Sequence, residues 1–392
     1  MTRVLHIAVV TETYPPEING VANTMRQLVA GLRGRGHQVH VIRPRQGADR
    51  ASAVAGRLDE TLVPGLPLPG YRGLRIGLPV FWRLRRWWRA QAPDLVYIAT
   101  EGPLGHAALA AARDTSIPTV TGFHTQFQQY SGHYGLGLLG EPIARSLRRF
   151  HNRSDATLAP TAELRDRLTA QGFTNVQVFG RGVDTELFSP ARRRADLRAH
   201  WGCNPNDPAL LHVGRLAAEK NIGLVLDAFA GVREVLPNVR CVLVGDGPAL
   251  SRLRRTYQGF HFTGAKVGTE LAEHYASADL FVFPSLTETF GNVVPEAMAS
   301  GLTVVAFDDA AAHSYIRSGH NGIVIAPGDN AAFIAATVAA AQDRDRLGRY
   351  GAAARATAET LGWDRVIDAV EKIIFDVIRR QAPTGGPVTA PQ

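Results

Sequence analysis

The chain has 392 residues, of which 45% are hydrophobic and 20% charged, and this is the composition of a soluble globular protein with about two domains. Its longest apolar stretches fall short of the roughly 18 residues that a membrane-spanning helix needs, so no such span is predicted. The formal net charge of +8 comes from the first half, because residues 1–190 contain 22 Lys and Arg against 14 Asp and Glu, whereas residues 191–392 contain 21 of each. This asymmetry fits either an anionic partner surface or a proteome that prefers arginine, since the only lysines are Lys220, Lys266 and Lys372.

The two cysteines, Cys203 and Cys241, are too few for a disulfide framework, and no Cys/His cluster has the spacing of a zinc site. The segment Met1–Val10 is too short for a secretory leader and has no small-residue cleavage site, so it is expected to contain the first strand. A reducing cytoplasmic setting fits both observations best.

Short apolar runs alternate with segments of helical periodicity along the chain. In the first half, the predicted strands are Val4–Val10, Gln38–Ile42, Asp94–Ile98, Thr119–Phe123, Ala156–Ala159 and Val176–Phe179. In the second half, they are Ala209–Val213, Val239–Val244, His261–Thr263, Leu280–Phe283, Thr303–Ala306 and Gly322–Ile325. Continuous apolar strands separated by helices are typical of parallel sheets that are covered on both faces. The pattern predicts an α/β protein with two doubly wound, Rossmann-like domains joined near Val183–Pro190, which bind ligands in the cleft beyond the C-terminal strand ends.

The loop from Thr11 to Thr24 leaves the first predicted strand and enters a helix. Gly20 in this loop lets backbone amides approach a phosphate, and a mobile loop without a ligand is the alternative. His124 ends a later strand on the side where sites form, although a lone histidine is more often structural. No GxGxxG fingerprint follows the first strand, which argues against a nicotinamide-dependent oxidoreductase.

The segment Pro79–Ala90 holds three of the chain's five tryptophans and four arginines. A helix here places on one face Phe81, Leu84 and Trp88, with Trp87 nearby, and on the other sides Arg83, Arg86 and Arg89. This pattern predicts an interfacial helix with aromatic side chains among lipid headgroups and arginines on anionic lipid. The alternative is a helix that packs its tryptophans into the core of the first domain and leaves the arginines in water.

Gly214 directly follows a predicted strand, and a glycine at that place lets a ligand approach the backbone. Arg215 and Lys220 then supply two cations that suit a diphosphate. A solvated helix start in which Glu219 pairs with a neighbour is the alternative. Gly245 follows the next strand and either helps to shape the pocket of a nucleotide base or is an ordinary turn residue.

Two glutamates lie on either side of a glycine turn near residue 290. The apolar strand Leu280–Phe283 leads into a loop with Glu288, and the segment Pro295–Ala299 is a predicted helix that contains Glu296. The loop amides of Phe290, Gly291 and Asn292 lie where that helix begins, and a helix N-terminus suits a phosphate. Two carboxylates flanking a phosphate site can bind hydroxyl groups, so this unit predicts a nucleotide-sugar site with one carboxylate for the sugar and one for the ribose.

Several of these motifs occur together in one chain. They are Glu288 with Glu296 seven intervening residues later, Gly214-Arg215 with Glu219-Lys220-Asn221, Asn19-Gly20-Val21, His124, and Gly182-Val183-Asp184. The combination resembles the retaining, GT-B-fold glycosyltransferase family 4 over about Val4 to Trp363. More narrowly, Phe123-His124-Thr125-Gln126-Phe127, Leu158–Thr161 and Gly180–Phe188 are similar to bacterial GDP-mannose-dependent α-mannosyltransferases and to sulfoquinovosyl- and glycosyl-diacylglycerol synthases.

The resemblance implies a role for each matching position. On the donor side, the ribose would be held by Glu296, the diphosphate by Arg215 and Lys220, and the transferred sugar by Glu288 and the amides of Phe290, Gly291, Asn292 and Val293. From the first domain, His124 would approach the sugar and Gly20 would leave room at the β-phosphate. The family needs no metal or other cofactor. Many relatives have glycines where this chain has Asp308–Ala312, which leaves the sugar preference open.

The resemblance also implies a domain division. Residues 1–185 would form the acceptor-side domain and residues 186–362 the nucleotide-sugar-binding domain. A helix over residues 363–381 would cross back to the first domain, and residues 382–392, rich in Pro, Gly and Thr, are expected to be disordered.

The resulting interpretation is a retaining hexosyltransferase that moves a mannosyl group from GDP-mannose to a hydroxyl of a membrane lipid or lipid-linked glycan. It would be cytoplasmic and peripheral on an anionic inner-membrane surface, without a nucleic-acid partner. The alternatives are a UDP-hexose-dependent diacylglycerol glycosyltransferase, a nucleotide-sugar 2-epimerase, and a catalytically silent nucleotide-sugar-binding protein. The loop Gly264–Gly268, expected to face the base, offers no carboxylate to a guanine edge, so the base stays open between guanine and uracil.

Overall fold

The computed structural model describes residues 3–17, 19–46, 49, 59–67, 75–124, 140–204, 207–286 and 288–381. The motif positions Ile18, Thr125, Gln126, Phe127 and Thr287 and the tail 382–392 lie outside the described residues. The chain divides into two compact units. Unit 1 comprises Met1–Thr125, Leu138–Gly180 and Asp364–Gln392, and unit 2 comprises Gln126–Gly137 and Arg181–Trp363.

Unit 1 is built on one parallel sheet. Its described strands are β1 (His6–Val10), β2 (Gln38–Pro44), β3 (Glu60–Val63), β6 (Leu95–Ile98), β7 (Thr119–Gly122), β8 (Ala156–Ala159) and β9 (Val176–Val178), and a separate antiparallel pair is formed by β4 (Gly65–Pro67) and β5 (Arg75–Gly77). The spatial order of the large sheet is β3-β2-β1-β6-β7-β8-β9. Since β1 pairs with β2 on one side and with β6 on the other, the chain reverses its direction of winding between β1 and β6.

Helices pack against this sheet. They are α1 (Gly20–Gly34), α2 (Phe81–Gln91), α3 (Pro103–Asp114), α4 (Gly140–His151), α5 (Ala162–Ala170) and α14 (Trp363–Gln381), the last belonging to unit 1 from Asp364 onward. Local sequence explains where they start. Asn19 caps α1 by accepting from the Ala22 N–H at 2.8 Å, and Thr161 caps α5 by accepting from the Leu164 N–H at 3.1 Å.

Unit 2 repeats the same architecture. Its described strands are β10 (Ala209–Val213), β11 (Arg240–Val244), β12 (His261–Gly264), β13 (Leu280–Phe283), β14 (Thr303–Phe307) and β15 (Ile323–Ile325), in the parallel order β12-β11-β10-β13-β14-β15. Its helices are α6 (Ala195–His200), α7 (Ile222–Val235), α8 (Leu250–Thr256), α9 (Gly268–Ser277), α10 (Val293–Ala299), α11 (Ala310–Tyr315), α12 (Asn330–Gln342) and α13 (Arg344–Glu359). The winding reverses between β10 and β13.

The observed sheets confirm the predicted fold class, an α/β protein with two doubly wound parallel sheets. The strands were predictable because most of their residues are apolar and most of them are buried; β10 and β13 are entirely buried. The sequence analysis missed β3, β4 and β5, which are only three or four residues long and partly exposed. In open sheets of this kind, ligands bind beyond the strand C-termini where the winding reverses, so the β1/β6 and β10/β13 junctions are the places to search.

The helix α2 corrects the predicted lipid-facing surface. Leu84 and Trp88 are only 2% and 1% exposed and belong to the hydrophobic core of unit 1, and Phe81 and Trp87 pack against that core. The prediction was wrong because helical periodicity identifies an apolar face but not what covers it. Trp82 alone among these aromatic residues is strongly exposed, at 74%. No described helix is both long and apolar enough to cross a membrane.

Candidate active site

A lysine–glutamate pair lies at the β10/β13 junction of unit 2. Glu288 follows β13, and its Oε1 accepts hydrogen bonds from Lys220 Nζ and, at 2.8 Å, from Ser285 Oγ. The side chains of Lys220 and Glu288 are 15% and 16% exposed, so the pair is shielded from bulk water but still reachable. The structure therefore brings together two residues that the sequence predicted for one site, and it adds Ser285, which the sequence analysis did not single out.

The second predicted cation is also paired with a carboxylate. Arg215 donates from Nη1 to Glu219 Oε1 at 3.1 Å, and Glu219 is buried while Arg215 is a third exposed. Glu219 belongs to a short 3₁₀ turn, Ala218–Lys220, that precedes α7. Each predicted diphosphate-binding cation thus has a carboxylate partner, and a diphosphate that bound here would compete with those carboxylates for the cations.

Two glycines allow the ends of β10 and β11 to lie against each other. The Gly214 N–H donates to the Val244 carbonyl at 3.0 Å. Gly245 has φ +149°, and a Cβ on it would lie 1.8 Å from the Gly214 carbonyl oxygen. Gly245 is therefore required for this close approach, and its predicted contact with a base stays a prediction.

The loop after Glu288 folds back onto the core before α10 begins. Phe290 is buried, and its carbonyl accepts from the Ala311 N–H at 2.8 Å. Gly291, at φ +84°, makes the turn, and α10 starts at Val293 and is 7 residues long. The predicted contact of the Phe290, Gly291, Asn292 and Val293 amides with a phosphate or a sugar stays a prediction.

Glu296 on α10 is held by a tyrosine. The Tyr275 hydroxyl, fully buried on α9, donates to Glu296 Oε2 at 3.0 Å. Burial raises the pKa of Glu296 to about 7, and the Tyr275 hydrogen bond opposes part of that rise. Near neutral pH, Glu296 therefore exists in both protonation states. Tyr275 was missed because nothing in the sequence spacing connects a residue on α9 to one on α10.

His212 on β10 is a further residue that the sequence analysis missed. Its ring is fully buried, Nδ1 lies 3.0 Å from the Val282 carbonyl, and Nε2 has no hydrogen-bond partner among the described residues. Burial lowers the pKa of His212 to about 4, so the ring is neutral, Nδ1–H donates and Nε2 is an acceptor. The Lys220 and Glu288 charges both act on it. A histidine inside an otherwise apolar strand was the available signal.

In unit 1, a polar network supports the loop that precedes α1. Asn19 caps the helix and donates from Nδ2 to Thr13 Oγ1 at 2.6 Å, while Thr13 and Gln46 both donate to the Glu17 carboxylate. Gly20 is the first residue of α1 and is exposed. The sequence analysis placed Gly20 in the loop from Thr11 to Thr24, whereas the structure has it as the first residue of the helix. Its contact with a phosphate stays a prediction.

His124 follows β7 and is 6% exposed. Its Nε2 lies 3.3 Å from the Tyr97 hydroxyl, and its ring meets Phe179 edge-on. Tyr97 is on β6, so His124 is held by the neighbouring strand. The predicted approach of His124 to a sugar stays a prediction.

Two other predicted motifs have structural roles in unit 2. A Cβ on Gly182 would lie 2.6 Å from Trp363 Cγ, and the Asp184 carboxylate accepts from the Leu187 N–H at 2.9 Å. Ala310, within the segment Asp308–Ala312, has φ +50°, a conformation that favours glycine. Across the described ranges, no group of three or more His, Cys, Asp or Glu side chains is arranged to hold a metal ion.

Comparison with known sequences gives two family matches. The model of Glycosyltransferase Family 4 matches residues 18–187, and that of Glycosyl transferases group 1 matches residues 207–343. The chain is 36% identical to a GDP-mannose-dependent alpha-mannosyltransferase of Mycobacterium tuberculosis over 83% of this chain and 85% of the relative. It is also 28% identical to an alpha-monoglucosyldiacylglycerol synthase of Streptococcus pneumoniae, over 77% of this chain and 71% of that relative.

The fold also matches solved structures. The Anabaena protein HepE in complex with UDP and glucose superimposes with a TM-score of 0.75 at 20% identity, over 95% of this chain and 99% of the other. This likeness is one of fold, and it agrees with the two Rossmann-like sheets described above.

Proposed function

The chain belongs to glycosyltransferase family 4, has the GT-B fold and transfers a sugar from a nucleotide sugar, and from that premise we propose that it moves a mannosyl group from GDP-mannose, with retention of configuration, to a hydroxyl of a membrane lipid or lipid-linked glycan. The observation that carries the proposal is the cluster at the β10/β13 junction, where Lys220, Arg215 and two carboxylates lie at the strand ends. Mannose and the guanine base are supported by the 36% identity to the mycobacterial mannosyltransferase.

The donor would exchange partners with the two ion pairs. Its diphosphate takes the Lys220 ammonium and the Arg215 guanidinium, and the released Glu288 carboxylate accepts hydrogen bonds from sugar hydroxyls. Glu296 accepts from the ribose hydroxyls while Tyr275 orients it. This exchange avoids leaving either cation or Glu288 without a partner, which is the costly alternative for groups that are mostly buried.

Retention follows from a front-face reaction. The bond from the anomeric carbon to the diphosphate oxygen breaks, the acceptor hydroxyl attacks from the same side, and its proton passes to the leaving diphosphate. Arg215 and Lys220 stabilise the charge that develops there. A covalent intermediate on Glu288 is the rival mechanism, and the hydrogen bonds from Lys220 and Ser285 favour a positioning role for Glu288 instead. Because the two cations neutralise the diphosphate, we propose that no metal is required, so EDTA should leave the transfer rate unchanged.

A lipid acceptor is supported by the similarity to the diacylglycerol glucosyltransferase relative. The exposed surface of α2 offers a contact with anionic lipid through Trp82, 74% exposed, with Arg85 stacked 5.6 Å from its ring and Arg83, Arg86 and Arg89 in solvent. We propose peripheral binding through these side chains instead of through the buried face of the helix.

The second candidate function, glucosyl transfer to diacylglycerol from a UDP-sugar, is favoured by the similarity to the alpha-monoglucosyldiacylglycerol synthase.

A donor panel tests the proposal. Wild-type protein is incubated with GDP-mannose or UDP-glucose and short-chain lipid acceptors, and the products are analysed by mass spectrometry and NMR. We expect an α-mannoside from GDP-mannose. A β-linked product would contradict retention, and a glucoside formed only from UDP-glucose would favour the second candidate. An epimerised sugar nucleotide formed without acceptor would indicate an epimerase, and binding without any turnover would indicate a silent binding protein.

A further inference from the structure

Two glutamates meet at the β1/β6 junction of unit 1, the position where the winding of that sheet reverses. Val10 and Ile98 are register partners at the ends of the two strands. Glu12 lies two residues beyond β1, and Glu101 lies three residues beyond β6, so both follow the C-terminal edge of the sheet. None of the roles argued above for donor binding uses either residue.

Glu12 is held in place by backbone and side-chain contacts with the β6–α3 connection. Its N–H donates to Thr100 Oγ1 at 2.9 Å, and its Oε1 accepts from the Leu104 N–H at 3.1 Å, in the first turn of α3. A Cβ on Gly102 would lie 2.1 Å from Glu12 Oε2. The absence of a side chain at Gly102 therefore makes room for the Glu12 carboxyl group, whose charge acts on Glu101.

Glu101 is the unusual member of the pair. Its side chain is 9% exposed, and its Oε1 is buried without a hydrogen-bond partner among the described residues. A buried carboxyl oxygen without a partner costs free energy. Such an atom at a strand-end junction suits a ligand group that is absent from the protein itself.

The charge state of the pair limits what that ligand is. Burial raises the pKa of Glu101 to about 8, its own backbone N–H opposes the rise, and the Glu12 charge adds to it. Burial likewise raises the pKa of Glu12 to about 7, with the Leu104 N–H opposing and Glu17 adding. No cation among the described residues acts on the pKa of Glu12 or of Glu101. The described residues also contain no group of three or more His, Cys, Asp or Glu side chains that could hold a metal ion.

We infer that Glu101, with Glu12 fixed beside it, binds a hydroxyl group of the acceptor substrate. The oxygen of a neutral hydroxyl accepts the hydrogen bond that a protonated carboxyl group donates, whereas a divalent cation demands more oxygen ligands and full ionisation. The inference rests on the proposed glycosyl transfer. It adds the acceptor-side residue pair and a preference for an uncharged, hydroxyl-bearing group over an ionic one.

Two substitutions at Glu101 separate this role from a structural one. The full chain is assayed at pH 7 with GDP-mannose and, as acceptors, octyl α-D-mannoside and 1,2-dioctanoylglycerol. Glu101→Leu removes both polar atoms and is expected to raise the acceptor KM roughly tenfold or more. Glu101→Gln keeps the shape and a hydrogen-bonding group, so its acceptor KM stays within about threefold of wild type. The KM for GDP-mannose is expected to be unchanged in both variants.

A pH profile adds a second readout. The wild-type acceptor KM is expected to rise above pH 8, where Glu101 ionises and loses its donor, and the Glu101→Gln profile to stay flat there. Glu163→Gln, at an exposed position in the first turn of α5, is the matched control and should behave as wild type. Melting temperatures of all variants identify any that fail to fold.

The outcomes are distinguishable. An unchanged acceptor KM in folded Glu101→Leu, or Mg²⁺ binding that is lost in Glu101→Leu, would overturn this inference and leave the proposed function standing. If wild type transfers mannose to neither acceptor, the proposed function is lost, and this inference with it.

Discussion

The two winding-reversal junctions occupy the same topological position and have opposite electrostatics. At β10/β13, two cations and two carboxylates form partly buried ion pairs, at Lys220–Glu288 and Arg215–Glu219. At β1/β6, two carboxyl groups lie together, and burial raises the pKa of each to about 7 or 8. Since both sheets are parallel and doubly wound, the backbone alone does not explain this difference.

Under the proposed function, the difference suits two kinds of ligand. The Lys220–Glu288 pair can exchange its carboxylate for a diphosphate while sugar hydroxyls bind the released carboxylate, so the unit 2 junction suits an ionic donor. Carboxyl groups that resist ionisation suit a neutral hydroxyl, so the unit 1 junction suits an acceptor. Each half of that contrast can be tested separately.

Removing the unit 2 ammonium should have the largest effect. Lys220→Ala deletes a charge-assisted contact at the leaving group, and it should lower the transfer rate by about a hundredfold or more. The rate is measured with saturating GDP-mannose and acceptor. Lys372→Ala, which changes an exposed lysine on α14, is the control and should retain the wild-type rate. Near-normal turnover by Lys220→Ala would refute the diphosphate assignment.

Glu296 should matter for binding more than for turnover. Glu296→Ala removes the carboxylate proposed to hold the ribose, and it should weaken GDP binding by about tenfold, measured by calorimetry, with a smaller change in the maximal rate. If the maximal rate falls and GDP binding does not, Glu296 acts in the reaction and not in holding the nucleotide.

Tyr275→Phe should change the pH dependence of GDP binding through Glu296. The Tyr275 hydrogen bond lowers the pKa of Glu296 from the value that burial alone would set, so its loss should raise that pKa further above about 7. Protonated Glu296 is the weaker acceptor. As the pH is lowered, GDP affinity should therefore begin to fall at a higher pH in Tyr275→Phe than in wild type. Tyr257→Phe, which stacks on Phe260 away from this contact, should show the wild-type profile. Identical profiles in all three proteins would refute the coupling.

Vesicle binding tests whether the positive surface belongs to unit 1. Wild type should sediment with anionic vesicles at low salt and be released as salt rises. Replacing Arg83, Arg85, Arg86 and Arg89 with serine should abolish sedimentation and leave donor hydrolysis intact, and Trp82→Ser should weaken sedimentation by a smaller factor. Leu84→Ala and Trp88→Ala are expected to destabilise the fold instead, because both side chains are in the core. Failure of wild type to sediment would favour a soluble acceptor.

The smallest effect is expected in thermal stability, where the melting temperature reports on the ionisation of Glu101 at the unit 1 junction. Burial raises the pKa of Glu101 from 4.5 to about 8, so between these values the unfolded chain loses a proton that the folded chain keeps. Stability therefore falls as pH rises through that window. Glu101→Gln cannot ionise, so its melting temperature relative to wild type should be higher at pH 8.5 than at pH 5, by a few degrees. An equal difference at both values would mean that Glu101 ionises normally in the folded protein.

Sequence reasoning found the elements and the ion-pair residues for a physical reason. Buried parallel strands are mostly apolar, and Lys220 and Glu288 lie in the segments that follow two such strands, β10 and β13. Sequence reasoning failed where the role of a residue depends on which distant residues it contacts in the fold. Trp88 has the same periodicity whether it meets lipid or core, and Tyr275 meets Glu296 only because α9 packs near α10. Glu12 and Glu101 are 89 positions apart in the chain, and only the pairing of β1 with β6 brings them together.

The central claim, that the β10/β13 junction binds the diphosphate of GDP-mannose, is tested most directly by calorimetry on wild type and Lys220→Ala. Titrations with GDP-mannose, GDP and UDP are made in the same buffer. The account predicts that wild type binds GDP-mannose and GDP, and that Lys220→Ala binds both at least about tenfold more weakly. Equal affinities in the two proteins, or tight binding of UDP with no detectable binding of GDP, would contradict it.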